Sequence, residues 1–339
     1  MYVIEANNVR DALPKAVEYL WRRGTRQVTR EGEAFVAPEP VTIHYKFPKQ
    51  HVLINPIRDA NPFFHLMESM WMLAGRHDGA FLDHYIKGFS ERYATHGIVM
   101  DAYGQRWRHG YRYDQLTEVL QHLSRDPTSR QAVLQMWGAG RDDLRAESSK
   151  PCNLSVVFRI QDKRLNMTVF NRSNDLIWGC CGANAVHFPI MQEYIAGRLD
   201  VGLGGYWQVS NNLHMYCEHY AQMAARVAQT GIDVHDHLCD TDTTYEGTEP
   251  LIEYPDEFES DLFETLELLE IVQEGQEVYS GDISNPFMRE VVIPMAFAHQ
   301  MFKLKQWDDA FEAMDEVKAE DWQRAGREWL ERRRDRIRR

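Results

Sequence analysis

Residues 147–188 read ESSKPCNLSVVFRIQDKRLNMTVFNRSNDLIWGCCGANAVHF. Two runs within this stretch, LSVVFRI (154–160) and LNMTVF (165–170), are apolar, short and separated by QDKR, which predicts a β-hairpin. Cys152 stands at the entrance of the first strand, after Pro151, and Arg172 and Ser173 follow the second strand, so their side chains return beside Cys152. A nucleophilic cysteine needs access, stabilisation of its thiolate and an electrophile held nearby. A guanidinium at that point lowers a thiol pKa and also suits a phosphate. The plainer reading of a lone cysteine is an inert packed thiol. It suits Cys180 and Cys181, adjacent in an apolar turn, Cys217 in a helix and Cys239 in a loop.

Outward from the hairpin, strand and helix signals mix without a regular strand–helix–strand alternation. NVRDALPKAVEYLWRRG (8–24) places Leu13, Ala16, Val17 and Leu20 on one face and ends at Gly24, which predicts an amphipathic helix. VTIHYKFP (41–48) and HVLINP (51–56) read as strands. NPFFHLMESMWMLAG (61–75) reads as an apolar helix begun by Asn61-Pro62 and closed near Gly75. DQLTEVLQHLSRD (114–126) is a further helix and RQAVLQMW (130–137) a buried strand. GANAVHFPIMQEYIAGRL (182–199) is a long helix with Pro189 near its start or at a kink, and LHMYCEHYAQMAARVAQTG (213–231) another. Residues 240–261 read as an acidic loop, and helices over 285–307 and 321–339 close the chain. The expectation is an α+β fold with a mixed or antiparallel sheet flanked by helices. It forms a single domain over 1–339, with a core to about residue 235 and a divergent acidic loop and helical C-terminal part over about 240–339.

Composition narrows the function. The chain has 339 residues, of which 44% are hydrophobic and 26% charged, the balance of a globular protein. No apolar run approaches the roughly 20 residues that span a bilayer, and the N-terminus has no secretion signal. Five cysteines without such a signal predict reduced thiols and a cytoplasmic location. A net charge of −13 disfavours nucleic acid as a partner. HDHLCD alternates His235, His237 and Cys239 but lacks the spacing of a closed zinc site, so no metal is expected. The basic end RRRDRIRR reads as a solvated helix end.

Six segments in chain order resemble the thymidylate synthase superfamily, which includes folate-dependent nucleotide hydroxymethylases of bacteriophages. HLMESMWMLAG is similar to its Glu-x-x-Trp-x-x-x-Gly helix and DAYGQRWR to its Tyr-Gly-x-x-Trp segment. DPTSRQAVLQMW resembles its Ser-Arg-Arg strand, and KPCNLS its Pro-Cys-His nucleophile segment. NRSNDLIWG resembles Gln-Arg-Ser-x-Asp-x-x-x-Gly, and NNLHMY resembles Asp-x-His-x-Tyr. The resemblance implies a single thymidylate-synthase-like domain with Cys152 as nucleophile toward carbon 6 of a pyrimidine. Glu68 and Tyr103 join it as catalytic residues, Glu68 organising water and moving protons. Arg30, Arg172, Ser173 and Arg130 from the other subunit of a homodimer bind the nucleotide phosphate. His214 and Tyr216 hold the ribose 3′-hydroxyl, and Asn184 faces the base edge. Asp175 and Trp71 receive the folate co-substrate, 5,10-methylenetetrahydrofolate.

Four departures from the family pattern bear on which reaction is run. Gln131 replaces the second arginine of Ser-Arg-Arg, and Asn153 replaces the histidine after the nucleophile. CCGANAVHF replaces Leu-Pro-Phe-Asn, displacing the asparagine by one position, and a charged helix stands where the closing tail would be. Methyl formation needs a sealed site, whereas hydroxymethylation needs a positioned water. These departures favour a 5-hydroxymethylase of a pyrimidine deoxynucleoside monophosphate, with dCMP ahead of dUMP. Methyl transfer to dUMP or dCMP is the next reading, and a non-catalytic nucleotide-binding regulator a distant one. A carboxamide serves uracil in one orientation and cytosine in the other. Asn184 therefore needs a second group to orient it, for which His187 is the candidate.

Overall fold

The computed structural model describes residues 1–142, 144, 150–228, 249–276, 278 and 280–338. They divide into two units, one built on residues 1–60, 119–192 and 201–228, the other on 61–118, 193–200 and 249–338. The strands β1 (Tyr2–Ala6), β2 (Thr25–Thr29), β3 (Gly32–Val36), β4 (Val41–Tyr45), β5 (Val133–Gln135), β6 (Asn153–Gln161), β7 (Arg164–Asn171), β8 (Asn174–Asp175), β9 (Gly202–Ser210) and β10 (Leu213–Tyr216) all belong to the first unit.

Six of these strands make one mixed sheet in the order β1-β4-β9-β7-β6-β5, and four make a second in the order β2-β3-β10-β8. The hairpin read from residues 154–170 is β6–β7, turned by Asp162 and Lys163 at φ 51° and 54°. Two positive φ values at the centre of a two-residue loop suit the right-handed twist of the flanking strands. Val156, Phe158, Leu165, Met167, Val169 and Tyr206 point to the buried face of the large sheet. Helix α1 (Val9–Arg23) packs in this unit, its N-terminus capped by the Asn8 side chain accepting from the Asp11 N–H at 3.0 Å. Leu176–Ala183 form a π-helical segment that is broken by non-helical backbone at Cys181 and Gly182 before α7 (Asn184–Arg198), in which Pro189 is accommodated.

Several expectations change. Residues 51–56 are not a strand: β4 is already paired on one side with β1 and on the other with β9, so no ladder remains for them. Residues 51–55 run as buried coil, and the Asn55 side chain takes the N–H groups of Ile57 and Arg58 at 2.9 Å each. RQAVLQMW forms only the three-residue edge strand β5, with Leu134 alone turned inward. LHMY is strand β10, not the start of a helix; α8 begins at Cys217 and runs to Val227. Strands β1, β2, β3, β8 and β9 have no counterpart in the sequence expectation.

The described elements of the second unit are helical. Helix α2 (Pro62–Leu73) is capped by Asn61, whose side chain accepts from the Phe64 N–H at 3.2 Å, and its C-terminal turn leads into Gly75 at φ 74°. Helices α3 (Ala80–Asp83), α4 (Phe89–Tyr93), α5 (Tyr103–Arg108) and the beginning of α6 (Gln115–Arg125) follow it. C-terminal helices over Phe258–Gln273, Ile293–Lys303, Trp307–Glu316 and Glu320–Arg338 complete this unit; the first and third of these add to the sequence expectation. Phe63 of α2 stacks its edge on Trp329, with ring centroids 5.3 Å apart. No helix among the described residues is long and apolar enough to cross a membrane.

Candidate active site

The open end of the β6–β7 hairpin carries the candidate nucleophile. Arg172 N–H donates to the Cys152 carbonyl at 2.9 Å, which ties the strand exit to the strand entrance. The Arg172 guanidinium then folds along the cysteine segment, Nε donating to the Pro151 carbonyl at 3.0 Å and Nη2 to the Lys150 carbonyl at 2.8 Å. Nη1 takes no part in these two bonds. Cys152 is a reduced, half-buried thiol, and Ser173 beside Arg172 is also half-buried. By contrast Cys180 and Cys181 are fully buried, and a hydrogen bond with its neighbour together with burial pushes the Cys180 thiol up.

The change of LHMY from helix to strand matters here. Residues two apart share a face on a strand and diverge on a helix. His214 and Tyr216 thus sit side by side, their rings edge to face at 5.2 Å. The Asn212 side-chain oxygen lies 3.1 Å from His214 Nδ1 and orients that ring. Parallel pairing of β8 with β10 sets His214 opposite Asp175. One Asp175 oxygen accepts from the Ile177 N–H at 2.9 Å and the other lies 3.6 Å from His219 Nδ1. Burial, and then the charges of Asp175 and Glu31, raise the Tyr216 phenol above its usual range, so it remains a neutral donor. Cys152 acts on the same phenol, and Thr29 hydrogen-bonds it, which places the β2–β3 turn beside Tyr216. Arg30 lies in that turn, exposed and bound to Glu31 at 2.8 Å. Arg130 is exposed just before β5.

Asn184, at the N-terminus of α7, is buried in a chain of carboxamides. Its Nδ2 donates to Asn174 Oδ1 at 3.2 Å and to Asn153 Oδ1 at 3.3 Å, and Asn153 Nδ2 donates back to Asn184 Oδ1 at 3.3 Å. Asn174 Nδ2 donates to Gln208 Oε1 at 3.1 Å and to Ser210 Oγ at 3.0 Å. Gln208 Nε2 donates to the Cys180 carbonyl at 2.8 Å. The group that orients Asn184 is therefore this chain rather than His187, which is buried further along α7. Asn174 and Gln208 escape the sequence reading because β8 and β9 do. Once YWQVS is seen as a strand, Tyr206, Gln208 and Ser210 fall on the inward face, and a glutamine there stands out as a buried polar group.

Glu68, Trp71 and Tyr103 belong to the second unit. Glu68 is the one residue of α2 that is not buried. Trp71 is 2% exposed, its indole N–H donating to the Asp78 carbonyl at 3.0 Å, so in this unit it supports the helix that carries Glu68. Tyr103 opens α5, which lies hard against α2: a Cβ on Gly104 would come 2.0 Å from the Met72 carbonyl oxygen. Only glycine permits that approach.

The half-buried Asp175 carboxylate is the acceptor that an amine-rich ring such as a folate's would need; Oδ1 already takes a backbone N–H at 2.9 Å, and Oδ2 lies 3.6 Å from the His219 imidazole. His235, His237 and Cys239 lie outside the described residues, among which no cluster of three or more His, Cys, Asp or Glu side chains is placed to hold a metal.

Residues 13–236 match the family model described as thymidylate synthase. Over 98% of its length the chain is 42% identical to the deoxyuridylate hydroxymethyltransferase of Pseudomonas phage M6, covering 95% of that protein. It is 36% identical to the deoxyuridylate hydroxymethyltransferase of Bacillus phage SP01 over 53% of this chain and 50% of that one. Similarity to the thymidylate synthase of Vesicomyosocius okutanii subsp. Calyptogena okutanii (strain HA) is 24% identity over 48% of this chain and 63% of that one.

Proposed function

The chain belongs to the thymidylate synthase family, and from that premise we propose that it transfers a one-carbon unit to carbon 5 of dUMP to form the 5-hydroxymethyl nucleotide. Transferase chemistry on a pyrimidine nucleotide is common to the relatives; the base and the product are the finer part of the proposal. The observation that carries it is the 42% identity, sustained over 98% of the chain, to a protein named for deoxyuridylate hydroxymethylation. That name favours dUMP over dCMP, the base that the sequence places first.

Each step assigns a residue. The Cys152 thiolate forms a bond to carbon 6 of the uracil, and the ring electrons shift onto carbon 5 and the carbonyl at position 4. Methylenetetrahydrofolate, the family's co-substrate, supplies the one-carbon unit at the oxidation level of formaldehyde, and Asp175 is the residue that would hold its ring. Carbon 5 bonds to that unit, the unit's bond to the folate nitrogen breaks to release tetrahydrofolate, and carbon 5 loses its proton; a water then adds to the transferred carbon with loss of a proton as the bond to Cys152 breaks and releases the thiolate. Glu68 organises that water and moves the protons, and Tyr103 is a further catalytic residue. Arg172, through its remaining N–H groups, Ser173 and Arg30 bind the phosphate. His214 and Tyr216, side by side on β10, hold the ribose 3′-hydroxyl.

The homodimer belongs to the same proposal. The outward face of the large sheet bears a shallow cavity of about 380 Å³ lined by Thr42, Val157, Arg159, Asn166, Thr168, Trp207 and Val209. Val133 and Phe170 are exposed on neighbouring strands, which suits burial against a second copy. Arg130 stands exposed at the sheet edge, where it could reach a partner's phosphate. Mixing inactive Cys152→Ala chains with inactive Arg130→Ala chains should restore activity; mixed dimers without activity would show that Arg130 does not act in trans.

The test of the reaction is product mass after incubation with dUMP, dCMP, UMP or CMP and methylenetetrahydrofolate. A hydroxymethyl group on dUMP is expected. A methylated product would move the chain to the thymidylate synthase reaction, and preference for dCMP would overturn the choice of base.

A further inference from the structure

The base edge that Asn184 reads depends on which end of its carboxamide faces the ligand. Oxygen and nitrogen of a carboxamide have almost the same shape, so the surroundings must decide between them. Here the decision begins at a backbone carbonyl and passes through two side chains. A backbone carbonyl accepts and never donates, so the end of Gln208 that lies 2.8 Å from the Cys180 carbonyl is the nitrogen. Its other end, Oε1, then accepts, and the atom of Asn174 that lies 3.1 Å from it is Nδ2. The remaining end of Asn174, Oδ1, accepts in turn, so the atom of Asn184 at 3.2 Å is its Nδ2. Ser210, whose hydroxyl both donates and accepts, is compatible with either direction and does not set it.

The chain is shielded from water, which would otherwise satisfy either orientation: Gln208 is 0%, Asn153 1%, Asn174 3% and Asn184 7% exposed. Reversing Asn184 would bring two acceptor oxygens together against Asn174, and neither has room to find a solvent partner. The Asn184 backbone is held as well, its carbonyl accepting from the Tyr206 hydroxyl at 3.2 Å.

We propose that Asn174 and Gln208 are positioning residues that lock the Asn184 carboxamide in one orientation and thereby make the site selective for one pyrimidine base. With carbon 6 placed at Cys152, uracil offers a ring N–H and a carbonyl where cytosine offers a ring nitrogen and an amine. The two bases therefore require opposite orientations of Asn184, and a locked Asn184 serves one of them. Asn153 shows the matching pattern. Its carboxamide occupies the Oδ1 and one N–H of Asn184 with a donor and an acceptor side by side, the same pair that the amide edge of uracil presents. A uracil ring can take the place of Asn153 without turning Asn184 over. Gln208 never touches the ligand; it acts through Asn174. The inference rests on the reading that Asn184 faces the base.

The experiment measures kcat/KM for dUMP and dCMP, and their ratio, in Gln208→Met, Asn174→Ser and Asn184→Ala dimers, with thermal melting of each. Gln208→Met removes the anchor at similar volume, and Asn174→Ser inserts a hydroxyl that donates or accepts. Both should lower the ratio of dUMP to dCMP efficiency at least about tenfold, chiefly by raising the dCMP value. A role in folding alone would depress both substrates in proportion and leave the ratio as it was. If Gln208→Met does not fold, Asn174→Ser carries the test. An unchanged ratio in the folded variants, with the ratio altered in Asn184→Ala, overturns the lock and leaves the base-reading role of Asn184 intact. A ratio unchanged in Asn184→Ala means that Asn184 does not face the base, and the reading beneath the inference fails.

Discussion

Replacing Arg172 by lysine should damage both halves of its work, and the structure sets the size of the effect. The guanidinium makes two hydrogen bonds to consecutive carbonyls of the cysteine segment, at 3.0 and 2.8 Å. Hydrogen bonds from a charged donor contribute about 1.5–3 kcal/mol each. Arg172 and Lys150 are half-buried, though Pro151 is buried, so water takes over part of this and about 1 kcal/mol remains per bond. A lysine cannot span two carbonyls and a phosphate at once, because it lacks the planar fork. Adding the weakened phosphate contact gives about 2–4 kcal/mol in kcat/KM, or roughly 30- to 900-fold. Tritium release from carbon 5 of labelled dUMP gives the rate, and equilibrium titration with dUMP gives the affinity. If Arg172 orders the nucleophile as well as the phosphate, kcat falls and KM rises together. An Arg172→Lys enzyme within about twofold of the parent in both quantities would refute the reasoning.

Three further outcomes are expected. Cys152→Ala should abolish carbon-5 exchange while Cys180→Ala and Cys181→Ala retain it, at a stability loss of about 1 kcal/mol each for the vacated space; exchange surviving in Cys152→Ala would end the nucleophile assignment. Gly104→Ala should destabilise the protein by about 3 kcal/mol in chemical denaturation, since the new Cβ would sit 2.0 Å from the Met72 oxygen; an unchanged midpoint would contradict that packing. Burial lowers the His51 pKa from 6.5 to about 4, and its Nδ1 faces the Pro48 carbonyl at 3.2 Å. The unfolded chain therefore takes up that proton first, so His51's contribution is complete above pH 6.5 and declines by about 3 kcal/mol as pH falls to about 4. His51→Phe should flatten this part of the stability–pH curve, and a curve of unchanged slope would rule His51 out as its source.

What the sequence determined by itself was local or carried by order along the chain. The β6–β7 hairpin was legible because both strands and their turn lie within nineteen consecutive residues, Asn153–Asn171. That short-range pattern alone placed Arg172 beside Cys152. Helix α1 was legible from its periodicity and its end at Gly24, and α2 from its apolar run begun by Asn61-Pro62 and closed near Gly75. The six family segments, being ordered motifs, pointed to the family to which the chain belongs. What only the tertiary structure decided were pairings between distant parts of the chain. LHMY looked helical because its apolar residues run into the helix beginning at Cys217; pairing with β3 and β8 made it a strand, and so put His214 and Tyr216 on one face. HVLINP looked like a strand and is coil, because the two edges of β4 were taken by β1 and β9. Asn153, Asn174, Asn184 and Gln208 are scattered along the sequence, and each alone is an ordinary polar residue. Their common direction comes from one backbone carbonyl, at Cys180, that cannot donate. No local pattern encodes that constraint, because it arises only when β6, β8, β9 and the start of α7 meet in a buried core.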